Sequence, residues 1–132
     1  MNDLAPALVH ESVASGREMP DGAWALLLGT RDRRLARPLA GCRVVMNDRP
    51  SWIALPRASF AIAVWLVAPG SRDLDQDALV LVRNALDRDA TLHLIAAVEV
   101  LPAVDPLAEA AGFSRRLART LSRGYGVLQL QR

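Results

Sequence analysis

Lysine is absent from this chain of 132 residues, and all sixteen of its positive charges are Arg. Every basic group is therefore a rigid fork suited to carboxylates or phosphates. A single Cys and two His leave too few ligands for a Cys/His metal site or a disulfide framework. Cys42, with no His near it in sequence, reads as a small buried hydrophobe. Long apolar runs are missing too: the longest, Ala58 to Pro69, is interrupted by Ser59 and falls short of the roughly twenty residues that cross a bilayer. The first residues, MNDLAPALVHES, are acidic and lack the apolar core of a signal peptide. The expected setting is cytoplasmic, with no membrane partner. What is present is a foldable composition, 52% hydrophobic and 23% charged with a net charge of +2, which excludes a disordered chain.

The length fits one domain, residues 1–132. Residues 1–22, with Pro6, Gly16, Pro20 and Gly22, read as an irregular arm holding at most a short strand at Pro6 to His10. Residues 23–57 read as a strand and hairpin region. Trp24 to Leu28 is a strand closed by Gly29, Thr30 to Leu39 a loop or short turn of helix interrupted by Pro38, and Cys42 to Met46 pairs with Trp52 to Leu55 across Asn47-Asp48-Arg49-Pro50.

Residues 58–132 form a βαβ-αβ half. Ser59 to Ala68 is apolar on both faces, the signature of a central strand. Asp73 or Asp75 caps a helix with Leu79, Val82 and Leu86 on one face, and Thr91 to Leu101 is a buried strand, so the unit is a crossover with two parallel strands. Asp105-Pro106 opens a second helix that Gly112 closes, and Gly126 to Gln131 is a final strand. The fold class is α/β (or α+β), with a mixed β-sheet of five to seven strands.

Charge is blocked along the chain. Seven Arg against two Asp lie between Arg31 and Arg57, five Asp against two Arg between Asp73 and Asp89, and five Arg against one Glu after Pro106. The Arg of the last block are expected to form a solvated face pairing with the acidic helix.

The strand ending in Trp65-Leu66-Val67-Ala68-Pro69, the loop Gly70-Ser71-Arg72, the helix, the strand Thr91 to Leu101 and Leu107-Ala108-Glu109-Ala110-Ala111-Gly112-Phe113 together resemble the second half of the GCN5-related N-acetyltransferase fold. That resemblance implies an acetyltransferase-like scaffold truncated at its N-terminus. In the family, glycines of the loop let backbone N–H groups hold the coenzyme A pyrophosphate. Their positions here hold Asp75 and Asp77, with Asp73 beside them, and carboxylates repel a pyrophosphate. The tyrosine that protonates the leaving thiolate maps onto Ala108, which has no proton to give. The resemblance therefore implies no catalytic residue, no cofactor and a degenerate loop at Arg72, Asp73, Asp75 and Asp77.

On this reading the chain is a non-catalytic interaction or regulatory module that pairs with a protein partner or with itself, and Trp52 is a candidate partner contact. One alternative is an active acyl-CoA-dependent N-acyltransferase binding acetyl-CoA through Arg72 and Arg83. A second alternative uses residues 105–123, which resemble a helix-turn-helix, with Arg115, Arg116, Arg119 and Arg123 reading nucleic acid. The two resemblances differ over residues 114–123, extended in the first and helical in the second. His93 alternates with Leu92 and Leu94 and reads as a core histidine, six residues from Glu99 and out of reach for an acid/base pair.

Overall fold

The computed structural model describes residues 5–14, 22–39, 41–48, 56, 58–68 and 74–132. In chain order these build the helix Ala5–Ala14 (α1), the strand Trp24–Leu28 (β1), a 3-10 helix Arg33–Leu39 (η1) and the strands Arg43–Asn47 (β2) and Phe60–Leu66 (β3). The helix Gln76–Ala85 (α2), the strand Leu86–Ala97 (β4), the helix Leu101–Ala111 (α3) and the strands Arg115–Thr120 (β5) and Tyr125–Gln131 (β6) follow. Six strands form one sheet in the order β2-β1-β3-β4-β6-β5. The first four are parallel, and β6 runs antiparallel to both of its neighbours.

Strand alternation divides the core between the two faces of the sheet. Leu26, Ala63, Trp65, Leu92, Leu94, Leu128 and Leu130 pack with α2 and α3, through Leu79, Val82, Val104 and Ala108. Leu27, Val64, Leu66, Ile95 and Val127 point the other way and pack with Leu8 and Val9 of α1 and Leu35 of η1. A parallel sheet covered on both faces needs apolar residues at every position of its central strand, and β3 (FAIAVWL) supplies them.

The expected crossover is present as β3–α2–β4. Asp75 is the N-cap of α2, its carboxylate accepting from the Ala78 N–H at 2.7 Å. Gly112 ends α3 in the left-handed region at φ 97°, as expected of a helix stop.

Several expectations are corrected. Residues 5–14 of the supposed arm are a helix, whose Leu8, Val9 and Ser12 are buried together at helical spacing. The strand after Cys42, β2, lies parallel to β1, with Leu26 opposite Val45; Trp52 and the second arm of the expected hairpin lie outside the described residues. Helix α3 starts at Leu101 and not at Asp105; Pro102 sits in its first turn, where the missing N–H costs nothing. Strand β4 begins at Leu86, so Asp87-Arg88-Asp89 belongs to it, with Asp89 at φ 63° beside a register shift opposite Phe60 and Ile62.

The helix-turn-helix reading fails on β5. Residues 115–120 are extended and pair with β6, Arg116 opposite Leu130 and Thr120 opposite Gly126. Leu117, which a recognition helix would bury, is 61% exposed. No helix among the described residues is long and apolar enough to cross a membrane.

Candidate functional site

From β1 the chain passes through η1 to β2 on one side, whereas β3 lies on the other side of β1 and leads on to β4. In open α/β sheets ligands bind in the crevice that such a reversal opens at the carboxyl ends of the strands. Here that crevice is bordered by Gly29 and the turn after β1, by Asn47 and Asp48 after β2, and by Leu66 and Val67 after β3.

Gly29 has φ +84°, and a Cβ built on it would lie 2.0 Å from the Leu66 carbonyl oxygen. The space its missing side chain leaves is thus filled by the backbone of β3. Its own N–H donates to the Asn47 carbonyl at 2.9 Å, tying the ends of β1 and β2 together.

Beyond Gly29 the turn satisfies itself. The Asp32 N–H donates to the Thr30 hydroxyl oxygen at 3.0 Å, and the Arg34 N–H donates to the Asp32 carboxylate at 3.0 Å. The Leu35 N–H donates to the Asp32 carbonyl at 3.1 Å. Short polar side chains compete in this way for N–H groups that a ligand would otherwise use. The Arg34 guanidinium grips the same carboxylate, with Nη2 at 2.7 Å, and holds Asp32 below the usual carboxylate range. Across the crevice, Arg31 Nη2 pairs with Asp48 Oδ1 at 3.3 Å. The segment 31–37 carries four Arg (31, 33, 34 and 37) and one carboxylate, Asp32. The helix that follows is a seven-residue 3-10 helix, without the long α-helix N-terminus that phosphate-binding turns use.

The residues singled out in the sequence do not converge. Asp75 caps α2 and Asp77 lies in its first turn, while Arg72 and Asp73 lie outside the described residues. Arg83 Nε donates to the Gly112 carbonyl at 3.0 Å and so closes the end of α3 rather than gripping a phosphate. Ala108 is buried in the core against the sheet. Arg116 pairs with Asp105 at 2.8 Å and lies 3.7 Å from Glu109, both on α3 and not on the acidic helix α2. Arg119 reaches the opposite face and donates to the carbonyls of Glu11 and Ser12, at the end of α1. Arg123 sits in the β5–β6 turn at φ 57°, and Arg115 opens β5 opposite Gln131. These Arg form no common basic face. His93 is buried against the Ser12 hydroxyl, with Nδ1 and Oγ 3.0 Å apart. Burial first, and the Arg119 charge second, push its pKa down to about 4. Cys42 is half-buried beside Ala25 and Ile62.

Gly29, Arg31 and Asp48 were legible only as a spacing: a glycine closing an apolar strand and an acidic residue about twenty positions on, the interval of a nucleotide-binding first turn.

The chain superposes on several solved structures. A protein of Thermotoga maritima described as a SAM-dependent methyltransferase superposes with a TM-score of 0.69 at 15% identity, over 98% of this chain and 89% of its own. A SAM-dependent methyltransferase from Aquifex aeolicus gives 0.68 at 12%, over 99% and 93%, and a TehB-like SAM-dependent methyltransferase from Corynebacterium glutamicum 0.64 at 16%, over 98% and 92%. The chain has the fold of these methyltransferases. No protein-family model and no curated protein matches its sequence. The acetyltransferase resemblance is thereby overturned, together with the interaction module and the acyltransferase built on it. The βαβ unit that carried it is common to both folds, and the order of the remaining strands is not.

The methyltransferase fold implies S-adenosylmethionine, and the described residues at the crevice do not fit it. Of the spaced glycines of a nucleotide-binding first turn only Gly29 is present; two and five positions on stand Arg31 and Arg34. The amides of Gly29, Asp32, Arg34 and Leu35 are already spent within the chain. The donor's sulfonium and ammonium would enter a surplus of guanidinium groups, and Asp48, placed to take a ribose hydroxyl, already holds Arg31.

Proposed function

We propose that this chain is a methyltransferase-fold protein whose donor crevice does not take up S-adenosylmethionine, so that it transfers no methyl group itself. The single observation that carries this reading is the self-satisfied turn after β1: Thr30 and Asp32 capture the amides of Asp32 and Arg34, and Arg31 captures Asp48. A turn built this way stabilises itself and offers a ligand few donors.

Titration calorimetry with S-adenosylmethionine and S-adenosylhomocysteine tests it. The expected result is no saturable heat at ligand concentrations up to about 1 mM, an affinity weaker than about −4 kcal/mol. Binding of either compound with a dissociation constant in the micromolar range, or methyl transfer from a labelled donor to any acceptor in a cell extract, refutes the reading.

A further inference from the structure

A second concave surface adjoins the crevice where α1 meets η1 and shares Arg34 with its turn. It is a cleft of about 650 Å³ lined by Pro6, Ala7 and His10 of α1 and by Arg34, Arg37 and Pro38 of η1. We propose that this cleft binds a small phosphorylated ligand through Arg37, Arg34 and His10.

The argument starts from the local helix type. A 3-10 helix has three residues per turn, so residues three apart eclipse each other and Arg34 and Arg37 stand on one edge of η1. Leu35 and Leu39 of the same helix are buried, and Leu35 packs with Leu8 and Val9 of α1. That contact fixes how the two helices meet and sets His10 across the cleft from the two Arg. The plane of Arg34 is set by Asp32, which holds Nε at 3.1 Å and Nη2 at 2.7 Å. Arg37 forms no ion pair with any carboxylate among the described residues, and none of the described lining residues is acidic.

Arg37 of η1 and His10 of α1 thus line one cleft, with Arg34 beside them held in place by Asp32. This donor set matches the several oxygens of a phosphoryl group better than the two of a carboxylate. The size lies within the range of small-molecule sites. A long polyanion would instead need charge spread along a face, and among the described residues Arg116 and Arg119 lie on opposite faces of the sheet.

Calorimetric titration of the full chain with inorganic diphosphate tests this, alongside Arg37→Ala, Arg37→Lys, His10→Ala and, outside the cleft lining, Arg33→Ala. Saturable binding is expected, weakened about tenfold or more by Arg37→Ala, less by Arg37→Lys and His10→Ala, and unchanged by Arg33→Ala. Unchanged melting temperatures show that the exposed substitutions leave the fold intact. The proposal is overturned if diphosphate does not bind, if Arg37→Ala binds as the parent does, if Arg33→Ala weakens binding equally, or if only a long oligonucleotide binds. None of these results depends on whether S-adenosylmethionine binds in the crevice.

Discussion

Replacing Gly29 by Ala should cost far more than an ordinary surface substitution, and the geometry says how much. At φ +84° an L-residue is strained, by about 1–2 kcal/mol. The new Cβ would also stand 2.0 Å from the Leu66 carbonyl oxygen. No rotamer relieves that contact, because both atoms belong to backbone, so the end of β1 or of β3 must shift. Leu28 and Leu66, the neighbours that would move, are fully or nearly fully buried, and overpacking of that kind adds about 1–3 kcal/mol. The sum is about 3 kcal/mol. With a urea slope of about 2 kcal/mol/M, the unfolding midpoint should fall by about 1.5 M. Gly124→Ala is the matched control: its φ of +81° is nearly the same, and nothing lies within 4 Å of its Cβ. It should carry the conformational cost alone. Equal midpoint shifts for the two variants would refute the claim that β3 fills the space beside Gly29.

Asp75→Ala removes the acceptor for the Ala78 N–H and should lower stability by about 1 kcal/mol in urea unfolding, with Asp75→Ser recovering most of it. His93 should make stability depend on acid. Its folded pKa of about 4 lies below the ordinary 6.5, so the unfolded chain takes up the proton first, and its effect is absent above pH 6.5. It grows as pH falls toward 4, then levels off at about 3 kcal/mol; His93→Gln should flatten that part of the profile. Arg119→Met removes a cation that lowers the same pKa and should raise the His93 midpoint in an NMR titration. It should also speed amide exchange in α1, whose last turn Arg119 holds. Arg31→Ala, in a pair whose side chains are 81% and 40% exposed, should change stability by less than about 1 kcal/mol and should leave the affinity for S-adenosylmethionine undetectable.

The elements legible in the sequence were those whose signals are local. The apolar run of β3, the spacing of Leu79 and Val82 on α2, the Asp75 cap and the Gly112 stop each follow from a few adjacent side chains, and each stands in the structure. Helix α1 was obscured because Pro6 reads as a breaker, although a first-turn proline costs a helix nothing. Strand order was out of reach, since the pairing of β1 with both β2 and β3 joins residues far apart and leaves no periodicity behind. A strand–helix–strand unit occurs in many α/β folds, so it drew the resemblance toward the wrong one. The site was missed because the Arg between positions 31 and 37 read as a block of charge. Their meaning lies in their position after a strand that borders the topological switch.

The turn after β1 also separates what a fold needs from what a ligand needs. Position 29 is dictated by the backbone, which turns through a positive φ and brings the β3 carbonyl into the place of a side chain. Glycine there follows from packing alone, whether or not anything binds. Positions 31 and 34 carry no such constraint: both side chains are exposed, and neither residue belongs to a buried cluster. Charged residues at these two positions therefore leave the sheet intact. A scaffold whose stability does not pass through its ligand site can keep its architecture while its chemistry changes, and S-adenosylmethionine, which the crevice is expected not to bind, should add nothing to the melting temperature of this chain.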